Sequence, residues 1–212
     1  MNLDHRMSLP DFTTSNLRLL AAKDPALADR LTGLPATASF AVEQTPAGVP
    51  TVIASLPAMD PYPLHSRIDP LHEAHLWADL HPLHDGPLVI LGLGLAYPAM
   101  ELIRRRPRRR IVLVEADPSI LQLALSRVDL SILLSPEAVT IHLPEDTDEF
   151  HDVLDTLPGD LRYGLYIPAM ALHPGRYERL REILDAEIAH RREVAEPDVC
   201  TALDLLLKEL VA

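Results

Sequence analysis

Along this chain the β-type residues fall into short blocks, and helix-compatible segments with mixed polarity lie between them. Leu88 to Leu91, Ile111 to Val114, Val139 to His142 and Tyr163 to Ile167 are the blocks. Their length and their Val, Ile and Leu content fit strands of a sheet covered on both faces. The intervening segments Pro98 to Arg105, Pro118 to Arg127 and Glu145 to Leu157 fit helices. This alternation predicts an α/β fold, a Rossmann-like parallel sheet with right-handed crossovers and helices on both faces. Two longer C-terminal helices, near 176–192 and 198–211, are expected to follow.

The region before residue 86 carries a different pattern. Thr14 or Ser15 can cap the helix NLRLLAAK, and Asp24-Pro25 opens a second helix, ALADRL, that Gly33 ends. SFAVEQ and PTVIAS lie on either side of TPAG and predict a hairpin whose loop exceeds two residues. The proline-rich DPYPLHSRIDP reads as an extended connection. Asp69-Pro70 then starts LHEAHLWADL, in which Leu71, Ala74, Trp77 and Ala78 share one helical face. Residues 1–85 are thus an expected helical and hairpin segment, and 86–212 the α/β domain.

The richest stretch is LVILGLGLAYPAMELIRRRPRRRIVLVEADP, from Leu88 to Pro118. Its order is strand, glycine turn, helix, strand, acid. In nucleotide-binding sheets, glycines at that turn let backbone amides approach a ligand, and the acid accepts hydrogen bonds from ribose hydroxyls. Glu115 follows Gly92 at close to the roughly 20-residue interval of that fingerprint. Gly92, Leu93, Gly94 and Glu115 are therefore the candidate cofactor-binding residues. Tyr97 occupies the fingerprint's third glycine position, which favours a nucleoside-type ligand over a dinucleotide. The alternative reading of Gly-x-Gly is a tight turn that binds nothing. Asp117 reads as a helix cap, with Pro118 at the first helical position.

Charge and composition narrow the function. The chain of 212 residues has a formal net charge of -12, which argues against a nucleic-acid binder. Arg104 to Arg110 opposes that balance, with six arginines around Pro107. Cations at a helix end complement its dipole and proline stops it, so the run reads as a helix stop and solvated surface, remote from the glycine turn. The longest uncharged run, Gly86 to Met100, is too short and too interrupted to span a bilayer. MNLDHRMSLPDF has no secretory pattern and Cys200 is the single cysteine, so a cytoplasmic setting is expected. Among ten histidines, His72, His75, His81 and His84 form an array that lacks a closed ligand set, and no metal is expected.

Strand, glycine turn, helix, strand and acid also describe how S-adenosylmethionine-dependent methyltransferases and spermidine-synthase-like proteins hold a sulfonium nucleoside. In that scheme Glu145 or Asp146 contacts the adenine amino group; both acids equally suit the start of the following helix. The fourth strand, RYGLYIP, lacks the acidic or Asn-Pro-Pro-Tyr motif of such enzymes. No G-x-S-x-G elbow or P-loop is present.

The succession SFAVEQTPAGVPTVIAS, YPLHSRIDPLHEA, ILGLGLAY and VLVEADPSILQLAL resembles the N-terminal region of the motility accessory factor family. These are flagellin glycosyltransferase-like proteins, with relatives among spore-maturation-type glycosyltransferases. The similarity runs over residues 39–127 by motif order, and IPAMALHPGRYERLREIL resembles the family's continuation. GLGLAY departs from the commoner GLGLGY at Ala96. The resemblance implies a role in attaching nonulosonic-acid sugars from CMP-activated donors to Ser or Thr of flagellin, with the catalytic module downstream of the matched region. It also implies that His65, Ser66 and Arg67 pack over the sheet's ligand edge, with Arg67 offered to a phosphate or carboxylate; local turn capping is the competing role for Ser66. The expected partners are a nucleotide or nucleotide sugar and a flagellin or downstream glycosyltransferase domain. This chain alone is expected to transfer neither sugar nor methyl groups, and a non-catalytic interaction module is the third alternative.

Overall fold

The computed structural model describes residues 10–34, 40–55, 60–81, 86–135 and 137–195. The helix expected at 198–211, Cys200 and His84 lie outside the described residues. In chain order the elements are α1 (Thr13–Lys23), α2 (Pro25–Thr32), β1 (Phe40–Gln44), β2 (Pro50–Ala54), β3 (Tyr62–Pro63) and α3 (Pro70–Asp79). There follow β4 (Leu88–Leu91), α4 (Tyr97–Arg105), β5 (Ile111–Val114), α5 (Pro118–Arg127), α6 (Ser131–Leu134), β6 (Val139–His142) and α7 (Thr147–Asp155). The last are β7 (Arg162–Leu165), α8 (Ile167–Met170) and α9 (Pro174–Ala195).

The α/β fold is Rossmann-like, with four parallel strands in the order β6-β5-β4-β7. Strand alternation divides the core. Leu88, Ile90, Ile111 and Leu113 face a layer that contains Leu20, Leu31, Leu102 and Leu125 from α1, α2, α4 and α5. Val89, Leu91, Val112 and Val114 face Phe150 and Leu154 of α7 and Tyr177, Leu180 and Leu184 of α9. Both faces of the sheet are therefore covered, which accounts for the nearly all-apolar strands.

Three helices start where Asp-Pro stands. Asp24, Asp69 and Asp117 each accept backbone N–H bonds from the first turn, and the following proline has no N–H to leave unpaired. The start of α1 differs from expectation. Neither Thr14 nor Ser15 caps it; the helix begins at Thr13, whose backbone N–H and hydroxyl both bond Asp11 Oδ1. The hairpin forms as β1 against β2, in register Gln44 with Pro50, and DPYPL adds a short third strand, β3. On α3, Ala74 and Ala78 are buried, whereas Leu71 is 43% exposed. β7 ends at Leu165 because Tyr166 and Ile167 turn into α8. No helix among the described residues is long and apolar enough to cross a membrane.

Candidate functional site

In a parallel sheet of this order the crevice opens where the order reverses, between the carboxyl ends of β4 and β7. Gly92 follows β4 and Tyr166 follows β7, so the glycine turn stands at that point. Gly92 has φ +88°, Gly94 φ +55° and Ala96 φ +68°. Three left-handed residues in five fold the turn back on itself, and Ala96 starts α4 without a side-chain cap.

The turn's amides bond to the protein's own groups. Leu93 N–H donates to Glu115 Oε2 at 2.8 Å, and Leu95 N–H donates to His65 Nε2 at 2.8 Å. A Cβ on Gly94 would stand 2.6 Å from His65 Nε2, and one on Gly92 would stand 2.9 Å from the Tyr166 carbonyl oxygen. The close approach that glycine permits here is made by His65 and Tyr166.

Glu115 is 1% exposed. Its Oε1 accepts from Tyr177 Oη (2.6 Å), Ala116 N (2.8 Å) and Asp117 N (2.9 Å). Burial raises its pKa above the usual carboxylate value, and the Tyr177, Asp117, Leu93 and Ala116 bonds oppose that rise. The Tyr177 hydroxyl is pushed well above its ordinary pKa by burial and by the Glu115 charge, and so remains a donor. The turn and the acid lie together at the carboxyl edge, and four donors already use the carboxylate.

His65 is fully buried between Tyr97 and Tyr166. Its Nδ1 lies 2.5 Å from Tyr166 Oη, which donates to Leu64 O at 2.6 Å. Because Nε2 accepts from Leu95, neutral His65 carries its proton on Nδ1 and donates it to Tyr166. Burial lowers the His65 pKa, an effect that Glu73, with Oε2 3.7 Å from Nδ1, opposes. The result is a directed chain from Leu95 N–H through His65 and Tyr166 to Leu64 O.

The neighbouring candidates take other positions. Ser66 Oγ accepts from Ile68 N and Asp69 N, and its own N–H donates to Glu73, so it shapes the turn before α3. The Arg67 side chain is 62% exposed and donates through Nε and Nη2 to Glu43 Oε2 of β1. Asp146 accepts from Glu149 N at 2.9 Å and caps α7. The first turn of α9 closes the rest of the edge. His173 Nε2 lies 3.0 Å from Asp117 Oδ2, and Arg176 bonds both Ala116 O and Pro144 O. Tyr166 and Tyr177 were not expected in this site. Neither tyrosine carries a local motif, and their partners lie far away in sequence.

Among the described residues no group of three or more His, Cys, Asp or Glu side chains is placed to hold a metal ion. His75 is engaged with Glu101, Asp79 and Arg105, and His81 stacks on Trp77 at 3.7 Å. Comparison with protein-family models gives no match, and comparison with curated proteins gives none either.

Proposed function

We propose that this chain is a Rossmann-like domain of a protein-glycosylation protein of the motility accessory factor type, non-catalytic by itself. In this reading the nucleotide-type crevice is filled by the domain's own side chains, and the domain positions a downstream glycosyltransferase module or its flagellin-like acceptor. The observation that carries it is the bond from Leu95 N–H to His65 Nε2. It joins two of the four phrases that carry the resemblance, YPLHSRIDPLHEA and ILGLGLAY, and occupies an amide that a phosphate or ribose would need.

One observation favours a second reading, in which a nucleotide or CMP-sugar, or S-adenosylmethionine in a transferase, binds at Gly92, Leu93, Gly94 and Glu115. The turn amides and the acid stand side by side at the strand-order reversal, as they do in nucleotide-binding sheets. That ligand would have to displace Tyr177 from Glu115 and His65 from Leu95.

Amide signals of Leu93 and Leu95, followed while CMP, a CMP-sugar and S-adenosylmethionine are added, separate the two. The first reading expects both signals to stay in place, and no sugar transfer to a flagellin by the chain alone. Saturable movement of both amides, abolished in Glu115→Ala, would establish the second reading, and turnover by the isolated chain would overturn the non-catalytic assignment.

A further inference from the structure

At the opposite, amino-terminal edge of the sheet stands a cation with no counter-charge among the described residues. Arg109 is only 8% exposed, and its Nε and Nη1 have no hydrogen-bond partner among the described residues. No ion pair reaches it among the described residues. Two sealed, unused guanidinium donors are costly, because Nε and Nη1 have given up water and received no partner in exchange, while Nη2 is not among the sealed atoms. The helix-stop role of the arginine run accounts for exposed Arg106, Arg108 and Arg110, but a solvated surface does not call for a buried member.

The strand register gathers further arginines around it. Leu88 pairs with Ile111 on one side and Arg162 on the other. Leu88 N–H donates to Arg110 O (3.0 Å), Arg162 N–H donates to Pro87 O (3.2 Å), and Arg109 N–H donates to Arg106 O (3.1 Å). The turn of residues 106–110 and the start of β7 therefore flank the same strand end. Burial, then the charges of Arg106 and Arg162, lower the Arg109 pKa, and Arg109 in turn contributes to the lowered pKa of His81. Among the described residues Arg162 has one acidic contact, Asp160 at 3.4 Å, with both side chains exposed. Arg104 and Arg105 are engaged with Glu101 and Asp79 and are not part of the group.

We infer that Arg109, with Arg106 and Arg162, forms an anion site for a phosphoryl group. A guanidinium offers a rigid fork matched to phosphate oxygens, and three cations around one dianion supply the missing charge. This site is independent of the glycine turn and of the function proposed for it. The phosphoryl group can belong to a small phosphorylated metabolite or to an anionic lipid headgroup.

The test uses the full 212-residue chain, sodium pyrophosphate followed by calorimetry at ionic strength held constant with chloride, and phosphatidylcholine vesicles with and without phosphatidylglycerol followed by sedimentation. Saturable binding of pyrophosphate is expected for a small-molecule site, and binding confined to phosphatidylglycerol vesicles for a lipid site. In either case Arg109→Met should weaken binding about tenfold or more. The same variant should melt at a higher temperature than the wild type without ligand, because the unpaired charge is gone. Arg106→Ala and Arg162→Ala, at exposed positions, should each weaken binding severalfold without changing the melting temperature. Failure of both pyrophosphate and vesicles to bind the wild type, or wild-type binding in all three variants, would overturn the site.

Discussion

Gly94 and Gly48 share a left-handed backbone and differ in surroundings, which makes them a controlled pair. Gly48, at φ +80°, has nothing within 4 Å of the position a Cβ would take, whereas Gly94 at φ +55° has His65 Nε2 at 2.6 Å and Tyr166 Cε1 at 3.0 Å. Gly48→Ala should therefore cost only backbone strain, about 1–2 kcal/mol. Gly94→Ala adds a collision with a ring held on both nitrogens, for a total of about 2–4 kcal/mol. Urea denaturation of the two variants measures the difference, and equal losses would show that His65 does not pack against the turn. The glycines themselves were legible in the sequence as a turn after a strand. What fills the space they leave was not, because His65 and Tyr166 reach the turn from distant positions and no local pattern encodes such contacts.

Among the elements, α7 carries a candidate whose role the geometry distinguishes. Asp146 was a possible adenine contact, and in the structure its carboxylate accepts from Glu149 N while Glu149 Oε2 accepts from Glu145 N. Asp146 thus caps the helix, and Glu149 reaches back to the residue before the cap rather than to the cap itself, a variant of the capping box. Asp146→Ala should cost about 1 kcal/mol of stability, and Asp146→Ser or Asp146→Asn should restore most of it. Thermal melts of the three variants give the answer, and loss in all three alike would point away from capping. The strands β4, β5 and β6 and the helix α5 stand at the residues the sequence indicated, since apolar blocks between breakers and Asp-Pro starts are local signals. β3 and the end of β7 were less legible. A two-residue strand has too little sequence to show a period, and Tyr166 leaves the sheet because its hydroxyl is drawn to Leu64 and His65.

On the scale of the whole molecule, the carboxyl edge is tied down from both sides of the chain. His65 arrives from the segment before α3 and Tyr177 from α9, so the closed turn depends on packing between distant regions. One consequence is a dependence on pH. Burial holds the His65 pKa below the ordinary 6.5, so between the lowered value and 6.5 the unfolded chain binds a proton that the folded chain refuses. Stability from neutral His65 is thus fully present above pH about 6.5 and is lost as the pH falls below it. His81 and His142 are lowered by burial as well and act in the same direction, so the difference between proteins is the informative quantity. His65→Gln, which keeps an acceptor for Leu95, should show a shallower fall in melting temperature between pH 7 and pH 5 than the wild type. Parallel curves would mean that His65 protonates freely in the folded state.

The central claim is that the glycine turn is closed by the protein's own side chains, and amide hydrogen exchange at Leu93 and Leu95 tests it most directly. Both N–H groups are buried and bonded, to Glu115 and His65, so exchange should require opening of the core rather than loop motion. The account predicts protection factors for both amides close to those of the β4 and β5 strand interiors, and a drop at Leu95 in His65→Ala. Exchange of Leu93 and Leu95 at the rate of an exposed loop in the wild type would contradict it and return the turn to the ligands that its sequence pattern suggests.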